Sequence, residues 1–352
     1  MALRGWARAT ILVVAWVVAW ASAFAVHAAP SPPAPQRIVA IGDLHGDHRA
    51  WRDVATAAGL MDRNGRWTGG RTVVVQTGDI VDRGPDSLKI IRELRRLETE
   101  APRAGGRVIA LVGNHEAMNV TGDLRYVHPG EYAAFRGPRS QALRDRYYSK
   151  HRRSIEDTAR AGDPKLTDDQ IRAAWERATP LGMIEHRQAW RPSGDVGAWV
   201  IRNPAVLKLA DLLFVHGGVS GAYAELSIDE MNRRVAEALA AQDESDDAII
   251  NDPNGPLWYR GLVAREGAVP GEAERAIDQE LTEVLRKQGA RAIVIGHTPA
   301  LKGVVISQAG RLVQIDTGIS AHYGGAVSYL EIIGGRMIPR TVARSPVAAA
   351  GR

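Results

Sequence analysis

The feature that most constrains the fold of this chain is a set of five short apolar runs. Each run is followed within three residues by a glycine and by an aspartate, asparagine or histidine. The runs cover 37–41, 73–76, 108–112, 212–215 and 292–295. Short uninterrupted runs of Val, Ile and Leu are typical of strands that are buried on both faces of a layered fold. The sequence therefore predicts an α/β fold, or more broadly a layered α+β fold, with sheets at its centre.

The polar residues after these runs are candidates for a single site. They are Asp43, His45, Asp79, Asn114, His115, His216 and His297. Ligands of α/β proteins gather at the carboxyl ends of strands, so all five ends can meet although they are far apart in the chain. Because alternate side chains of an extended chain share a face, Asp43 and His45 should bind one ion together.

The composition restricts the chemistry of such a site. The chain has no cysteine, which excludes disulfides, thiolate-bound metals and cysteine nucleophiles. Carboxylate and imidazole ligands suit Mn, Fe or Zn. Even six of these seven ligand-type side chains are too many for one tetrahedral catalytic ion that keeps an open position. They suit two divalent ions about 3.5–4 Å apart, bridged by a shared carboxylate and a hydroxide.

The N-terminus has the pattern of a secretory signal peptide over residues 1–28. Arg4 and Arg8 precede an apolar run of 16 residues, 11–26, and small residues follow. Cleavage after Ala28 would give a secreted or periplasmic protein without stable membrane insertion. The run is slightly shorter than the roughly 20 residues of a spanning helix, so an uncleaved anchor with the domain outside the cytoplasm is the alternative.

The rest of the chain is predicted to form one domain with an insertion. Residues 29–36 contain four prolines and predict an extended linker to a domain over 37–344. Strand-like runs stop over 118–198, which predicts a largely helical insertion. Within it, Thr167 and Gln170 fit the capping box of a helix that continues through Arg177. Residues 345–352 are predicted to be a disordered tail.

The charge of the chain does not indicate a nucleic-acid partner. The formal charge is +5, of which Arg4 and Arg8 would be lost with the signal peptide. So small an excess on a chain of this size lacks the clustered charge that nucleic acid requires. Eight basic and two acidic residues do lie within 125–153. They are interpreted either as an electropositive rim for anionic substrates or as a solvated helical face.

At these positions the chain resembles the phosphoprotein phosphatase branch of the calcineurin-like metallophosphoesterases. The matching motifs, in the family's order, are GDLHG from 42, GDIVDRG from 78, GNHE from 113, HGG from 216 and GH from 296. The strings over 58–79 and 113–132 are similar to those of Shewanella-like protein phosphatases. The resemblance covers about residues 37–335 and implies a β-sandwich flanked by helices, with a dinuclear metal centre.

The resemblance also implies the metal ligands. The first ion would be held by Asp43, His45 and Asp79, and the second by Asp79, Asn114, His216 and His297. Asp79 would therefore bridge the two ions. Mn is the first expectation for both ions, with Fe or Zn as alternatives.

The catalytic and phosphate-binding residues are likewise implied by the resemblance. His115 would be the general acid, oriented by Asp82, and imidazole titrates in a suitable range for that role. Arg83, and Arg260 in the string PLWYRG, would contact the phosphate together with Asn114. The planar guanidinium group matches the geometry of phosphate oxygens.

One segment departs from the family pattern. Ser320-Ala321-His322-Tyr323-Gly324 resembles the family's Ser-Ala-Pro-Asn-Tyr loop but is one residue shorter and lacks the proline. Tyr323 is therefore only a candidate residue of the substrate loop. Four histidines outside the motifs are interpreted as surface or structural residues: His48, His128, His151 and His186.

Three functional hypotheses follow. The first is a dinuclear-metal-dependent phosphatase that acts on phosphoserine, phosphothreonine or phosphotyrosine in proteins, by attack of a metal-bridging hydroxide. The second is a periplasmic small-molecule phosphomonoesterase or a dinucleotide polyphosphate hydrolase, because related folds host these activities and the periplasm has little ATP to maintain phosphoproteins. The third is a non-catalytic binding scaffold, which would require missing ligands, and none is missing. The DRG string at 82 favours the phosphoprotein branch.

Overall fold

The computed structural model describes residues 35–265, 267 and 269–345. The predicted signal peptide, nearly all of the proline-rich linker and residues 346–352 of the predicted tail lie outside the described residues. Among the helices that are described, none combines the length and the apolar character needed to cross a membrane.

Ten strands form two five-stranded sheets within the described residues. The strands are β1 Arg37–Ile41, β2 Val73–Gln76, β3 Arg107–Ala110, β4 Val206–Leu209, β5 Leu212–Val215, β6 Ala292–Ile295, β7 Val305–Ser307, β8 Leu312–Gln314, β9 Ser328–Ile333 and β10 Arg336–Thr341. The sheet orders are β10-β9-β1-β2-β3 and β4-β5-β6-β8-β7. Three neighbouring strands of each sheet run parallel: β1, β2 and the edge strand β3 in the first, and the central strands β5, β6 and β8 in the second.

Ten α-helices flank these sheets in the described part of the chain. They are α1 His48–Ala57, α2 Ser87–Glu100, α3 Asn114–Thr121, α4 Pro129–Phe135, α5 Ser140–Gly162, α6 Asp168–Ala178, α7 Met183–Trp190, α8 Asp195–Arg202, α9 Ile228–Ala241 and α10 Pro270–Gln288. Helices α3 to α8 follow one another between β3 and β4, where the helical insertion is predicted. The predicted capping box is present, because the side chain of Gln170 accepts the backbone N–H of Thr167 at 2.9 Å and the hydroxyl of Thr167 accepts that of Gln170 at 3.3 Å.

The two sheets pack face to face through an apolar layer. Ile38 and Ala40 of β1 lie in this layer with Phe214 of β5. The intervening Val39 belongs to a second, larger core that also contains Trp51 of α1. Because both faces of these strands are covered, their sequences are apolar without alternation. This packing confirms the predicted fold class, a β-sandwich flanked by helices.

The parallel strands end level with one another. The last residues of β1, β2 and β3 are register partners, and so are the last residues of β5, β6 and β8. The carboxyl ends of the strands in the two sheets also lie close together. His297, after β6, donates its backbone N–H to the carboxylate of Asp43, after β1, at 3.1 Å. The loops after the strands of both sheets therefore converge at one place.

The end of β3 differs from the prediction. The sequence predicts a strand over 108–112, but β3 ends at Ala110. Leu111 still donates its N–H to the carbonyl of Gln76 in β2, at 2.8 Å, whereas Val112 donates to the carbonyl of Pro204, at 3.0 Å. The strand ends because the backbone of Val112 bonds to the segment before β4.

The start of the predicted disordered tail is also attached to the domain. Ser345 donates its backbone N–H and its hydroxyl to the carboxylate of Asp53 in α1, at 2.9 and 2.5 Å. The prediction of disorder is therefore wrong for Ser345, because the carboxylate of α1 supplies an acceptor for both of its donors.

A buried glutamate connects the helical insertion to the start of α2. Glu131, in the first turn of α4, is 3% exposed and accepts the backbone N–H of Ser87 at 2.9 Å. Burial raises the pKa of Glu131 to about 7. Since this folded-state pKa lies above the unfolded value, the protein binds this proton more tightly when folded. Stability is therefore lost as the pH rises from about 4.5 through 7.

We expect Glu131→Gln to remove this pH dependence while keeping an acceptor for Ser87. Between pH 4.5 and pH 8, the free energy of unfolding of the wild type should fall by up to about 3 kcal/mol relative to that of the variant. Urea denaturation of both proteins at the two pH values measures the difference. A constant difference between the two proteins across this range would show that Glu131 does not carry the effect.

Candidate metal centre and active site

Two groups of buried histidine and aspartate side chains lie where the strand ends converge. One contains His45, Asp79 and His115, and the other contains Asp79, His216 and His297. In each group, one ligand-type atom from each residue lies within 4.8 Å of the others. Asp79 belongs to both groups, as a carboxylate shared by two ions would.

The two carboxylate oxygens of Asp79 face different groups. Oδ1 lies 3.3 Å from Nε2 of His216, whereas Oδ2 lies 3.7 Å from Nε2 of His45 and 3.8 Å from Nε2 of His115. Burial opposes ionisation of this carboxyl, but the neighbouring histidines, His216 foremost, hold the pKa of Asp79 well below its usual value. Asp79 is therefore a carboxylate with one oxygen available to each group.

Glu116 holds the backbone around Asp79 in place. Its carboxylate accepts the backbone N–H groups of Asp79, Ile80 and Gly113, each at 2.8 Å. A Cβ on Gly113 would lie 2.3 Å from Oδ1 of Asp79, so only glycine allows the two loops to approach this closely. Glu116 lies in the GNHE motif, but the sequence analysis assigned it no role.

The chain turns at His45 instead of remaining extended. Leu44 and His45 both donate their backbone N–H to the carbonyl of Asp79, at 2.9 Å, and His45 has a φ of +41°. The prediction that Asp43 and His45 leave one face of an extended chain is therefore wrong, because these bonds impose the turn. Nδ1 of His45 bonds to the carbonyl of Val81 at 3.0 Å, which leaves Nε2 facing Asp79.

Asp43 links the two sheets at the site. Both of its carboxylate oxygens accept the backbone N–H of His297, at 3.2 and 3.1 Å. A Cβ on Gly296 would lie 2.4 Å from Oδ1 of Asp43, which explains the glycine in the GH motif. Burial, together with the charges of Asp316 and Asp79, raises the pKa of the Asp43 carboxyl well above its usual value.

Asp316 is a buried carboxyl near the site that is not among the residues predicted from the sequence. This residue is 1% exposed, lies two positions after β8, and accepts the backbone N–H of Gly318 at 2.9 Å. Burial raises its pKa to about 6. A signal for it is present in the sequence, because the mostly apolar stretch from Leu312 to Ile315 is followed by Asp316 and, two residues later, by Gly318.

His216 and Asn114 bring two electron-pair donors together. Nδ1 of His216 lies 2.9 Å from the carbonyl of Thr77 and donates its hydrogen there. In the neutral ring, Nε2 carries the lone pair, and it lies 2.9 Å from Oδ1 of Asn114. With the carboxylate of Asp79 beside them, these atoms are suited to share a cation.

His297 completes the second group. Its Nε2 is buried and has no hydrogen-bond partner among the described residues, and its φ is +63°. Burial, reinforced by the adjacent His216, lowers the pKa of His297 to about 2, so the ring is neutral. A buried, unpartnered imidazole nitrogen beside carboxylates fits a divalent ion, and the nitrogen and oxygen donors suit Mn, Fe or Zn.

His115 forms a hydrogen-bonded pair with Asp82. Nδ1 of His115 lies 2.6 Å from Oδ2 of Asp82, and Oδ1 of Asp82 accepts from the side chain of Asn119 at 2.9 Å. Burial lowers the pKa of His115, but the carboxylates of Asp79 and Asp82 outweigh it and hold the pKa above the usual value. The sequence analysis assigned no role to Asn119.

Asn114 and His115 are the first two residues of α3, so they are not on an extended chain. Their side chains are separated by roughly 100° around the helix axis and do not point to opposite faces. The two can therefore reach different parts of one site. Oδ1 of Asn114 contacts His216, whereas the ring of His115 lies between Asp79 and Asp82.

Both predicted phosphate-binding arginines lie at the rim of the site. Arg83 is half-buried, and its guanidinium lies 5.3 Å from the ring of Tyr323. Arg260 is exposed and donates to the carbonyl of His297 at 2.8 Å and to the hydroxyl of Thr298 at 3.1 Å. The ring of Tyr323 also lies 5.4 Å from that of His45, which places the divergent loop beside the first group.

The histidines outside the motifs belong to neither group. His48 pairs with Glu93, His128 caps α4, His151 packs on Tyr147, and His186 packs among aromatic rings that include Tyr132. In the basic stretch, Arg144 and Arg152 of α5 form ion pairs with Glu176 and Glu156, at 3.9 and 2.5 Å. Of the two interpretations of residues 125–153, these ion pairs favour a solvated helical face for the part that lies on α5.

Comparisons with known proteins identify the family of this chain. The model of the calcineurin-like phosphoesterase family matches residues 36–301. Shewanella-like protein phosphatase 2 of Arabidopsis thaliana is 32% identical over 294 residues, which are 81% of this chain and 72% of the relative. The crystal structure of a cold-active protein-tyrosine phosphatase of a psychrophilic Shewanella species matches with a TM-score of 0.62 and 25% identity, over 88% of this chain and 80% of that chain.

A shorter stretch of the chain matches a relative whose name describes another activity. The symmetrical bis(5'-nucleosyl)-tetraphosphatase of Burkholderia mallei is 36% identical over 104 residues, 29% of each chain. The family model spans all the motif residues up to His297, and the Arabidopsis relative covers 81% of this chain. The chain belongs to the calcineurin-like phosphoesterase family and is a phosphoesterase.

Proposed function

We propose that this protein is a dinuclear-metal-dependent phosphatase that hydrolyses phosphomonoesters in proteins. The observation that carries the proposal is Asp79, a buried carboxylate with one oxygen toward each of two groups of ligand-type side chains. The hydrogen-bonded pair of His115 and Asp82 beside it supports hydrolysis, because a leaving alkoxide needs a proton. A binding scaffold without catalysis would need none of these groups to be intact.

The proposed ligands divide into two sets that share Asp79. Asp43, His45 and Asp79 would hold one ion, and Asp79, Asn114, His216 and His297 would hold the other. We propose Mn²⁺ first, because all donors are nitrogen or oxygen. Divalent ions bound there would supply the positive charge and the Lewis acidity that hydrolysis of a phosphoester requires.

The chain's own residues would handle the proton of the leaving group. The geometry of the first group also allows His115 to be a ligand, since its Nε2 lies 3.8 Å from Oδ2 of Asp79. We propose an acid instead, because Asp82 binds Nδ1 and the two carboxylates favour the protonated ring. Nε2 would then carry the proton toward the substrate, while Asn119 fixes Asp82.

Arg83 and Arg260 would bind the phosphate oxygens. Arg83→Ala and Arg260→Ala should each lower kcat/KM by about 10- to 100-fold and weaken inhibition by inorganic phosphate, because each removes a charge-assisted hydrogen bond. Metal content should not change, since guanidinium cannot ligate a cation. Arg152→Ala, on the surface of α5, is the control. Loss of metal from either variant would mean that the arginine supports the fold of the site instead.

A second candidate function is hydrolysis of dinucleotide polyphosphates or other small phosphate esters. The match to the bis(5'-nucleosyl)-tetraphosphatase favours it, but over 104 residues only. The Arabidopsis protein phosphatase matches over 294 residues, which favours phosphoproteins. The Shewanella relative is described as a protein-tyrosine phosphatase, so phosphotyrosine is the first of the three phosphoresidues to test.

The test is a substrate panel on protein that has been stripped of metal and refilled with one ion at a time. The panel contains phosphoserine, phosphothreonine and phosphotyrosine peptides, nucleotides and diadenosine tetraphosphate. We expect the highest kcat/KM with a phosphopeptide in the presence of Mn²⁺. A higher kcat/KM with diadenosine tetraphosphate or nucleotides would establish the second candidate. Absence of hydrolysis with every ion would reject both.

A further inference from the structure

Like Arg260, Arg83 is a charged residue at the rim of the site that has no anionic partner among the described residues. In the described part of the chain it forms no ion pair, and its Nε is buried without a hydrogen-bond partner. Arg125 lies 6.0 Å from the same ring of Tyr126 that Arg83 contacts, but it pairs with Asp123 at 2.6 Å. The guanidinium of Arg83 must therefore be held in place by something other than a carboxylate.

Aromatic side chains from two distant segments surround this guanidinium. Its Cζ lies 4.5 Å from the ring centroid of Tyr126 and 5.3 Å from that of Tyr323, both within the range of cation–π attraction. One of its Nη atoms lies 3.3 Å from Nε2 of His322. We propose that Tyr126 is a positioning residue, which together with Tyr323 and His322 clamps Arg83 in its phosphate-binding orientation.

The backbone supports the same arrangement. Asp82 and Arg83 have φ values of +69° and +63°, and two consecutive side-chain-bearing residues rarely adopt this region. The N–H of Arg83 donates to the carbonyl of Tyr126 at 3.0 Å. Tyr126 thus contacts Arg83 through both its backbone and its ring.

The aromatic rings that clamp Arg83 also lie next to histidines of the candidate site. The ring of Tyr126 lies 5.1 Å from that of His115, and the ring of Tyr323 lies 5.4 Å from that of His45. The rings that hold Arg83 therefore lie beside both histidines of the first group, on the Oδ2 side of Asp79. A displacement of Tyr126 would change the distance between the guanidinium and the reacting atoms.

Stacking suits an arginine that must bind phosphate. A ring covers the face of the guanidinium and leaves the in-plane N–H donors free for a bidentate contact with phosphate oxygens. A carboxylate partner would occupy those donors. The clamp would therefore restrict the long side chain before substrate arrives, so that less side-chain entropy is lost on binding.

The inference rests on the proposed phosphatase function, but its test does not need turnover. Binding of inorganic phosphate to the Mn²⁺-loaded protein is measured by calorimetry for the wild type, Tyr126→Leu, Tyr126→Phe and Tyr323→Leu. Tyr126→Leu and Tyr323→Leu should each weaken phosphate binding by about 5- to 30-fold, the range of cation–π contacts. Tyr126→Phe keeps the ring and should restore binding to within about twofold. Tyr147→Leu, on α5, is the matched control.

A double-mutant cycle separates positioning from a direct role. In an Arg83→Ala background, Tyr126→Leu should cause no further loss of phosphate affinity, because the group it positions is absent. An undiminished loss in that background would overturn the proposal, and so would a loss in Tyr126→Phe as large as in Tyr126→Leu. If Tyr126→Leu fails to fold, the same cycle with Tyr323→Leu decides. Failure of the wild type to hydrolyse any phosphoester would reject the proposed function alone, because phosphate binding is measured separately.

Discussion

Asp79→Asn is expected to abolish the activity of this protein almost completely. The substitution keeps the size of the side chain but removes its negative charge and one acceptor oxygen. One oxygen faces His216 and the other faces His45 and His115, so one proposed metal site loses its Asp79 ligand and the other keeps only an uncharged amide oxygen. The bound ions would contribute several kcal/mol to transition-state stabilisation, so kcat/KM should fall by at least about 10³-fold.

Metal content and activity are measured together on the same preparations. After dialysis, Asp79→Asn should retain less than the two ions per chain proposed for the wild type, as determined by elemental mass spectrometry. Asp195→Asn, an exposed aspartate that pairs with Arg95 on the surface, is the matched control. A chelator should inactivate the wild type, and Mn²⁺ should restore it. Full activity of stringently metal-free protein would contradict the dinuclear proposal.

The strand ends could be predicted from sequence because their signal is local. A strand covered on both faces is apolar throughout, and the polar residue after it marks where the strand leaves the core. The predicted bounds of β1, β2, β5 and β6 agree with the structure. The end of β3 does not, because it depends on a bond between Val112 and Pro204, which lie far apart in the chain.

The backbone conformation of the site likewise depends on contacts between residues that are distant in the chain. The turn at His45 results from two bonds to the carbonyl of Asp79, which lies far from His45 in the chain. The alternation of side chains in an extended chain therefore predicts the right residues, Asp43 and His45, but the wrong backbone geometry. The helical start of α3 at Asn114 is a similar case, because Glu116 in its first turn bonds to the loop after β2.

Residues that support the site are harder to find than residues with ligand-type side chains. Glu116, Asn119 and Tyr126 act through neighbours that only the fold brings close. Glutamate, asparagine and tyrosine in a helical or loop segment have many ordinary roles. Asp316 is different, because it follows an apolar run, and the criterion used for the other strand ends applies to it equally.

The proposed acid role of His115 predicts a second large effect. His115→Asn should lower turnover of a phosphoserine peptide by about 10²- to 10⁴-fold, the usual contribution of a general acid. Both ions should remain bound, because the proposed ligands are unchanged. His151→Asn, which alters a histidine outside the site on α5, is the matched control for the substitution.

The leaving group decides between an acid and a ligand. An alkoxide from phosphoserine needs a proton as it departs, whereas a phenolate of low pKa departs without one. The loss of turnover in His115→Asn should therefore be much smaller for an aryl phosphate with such a leaving group than for the phosphoserine peptide. An equal loss on both substrates, or the loss of one ion, would contradict the acid role. His115 would then belong with His45 and Asp79 as a metal ligand, for which their geometry leaves room.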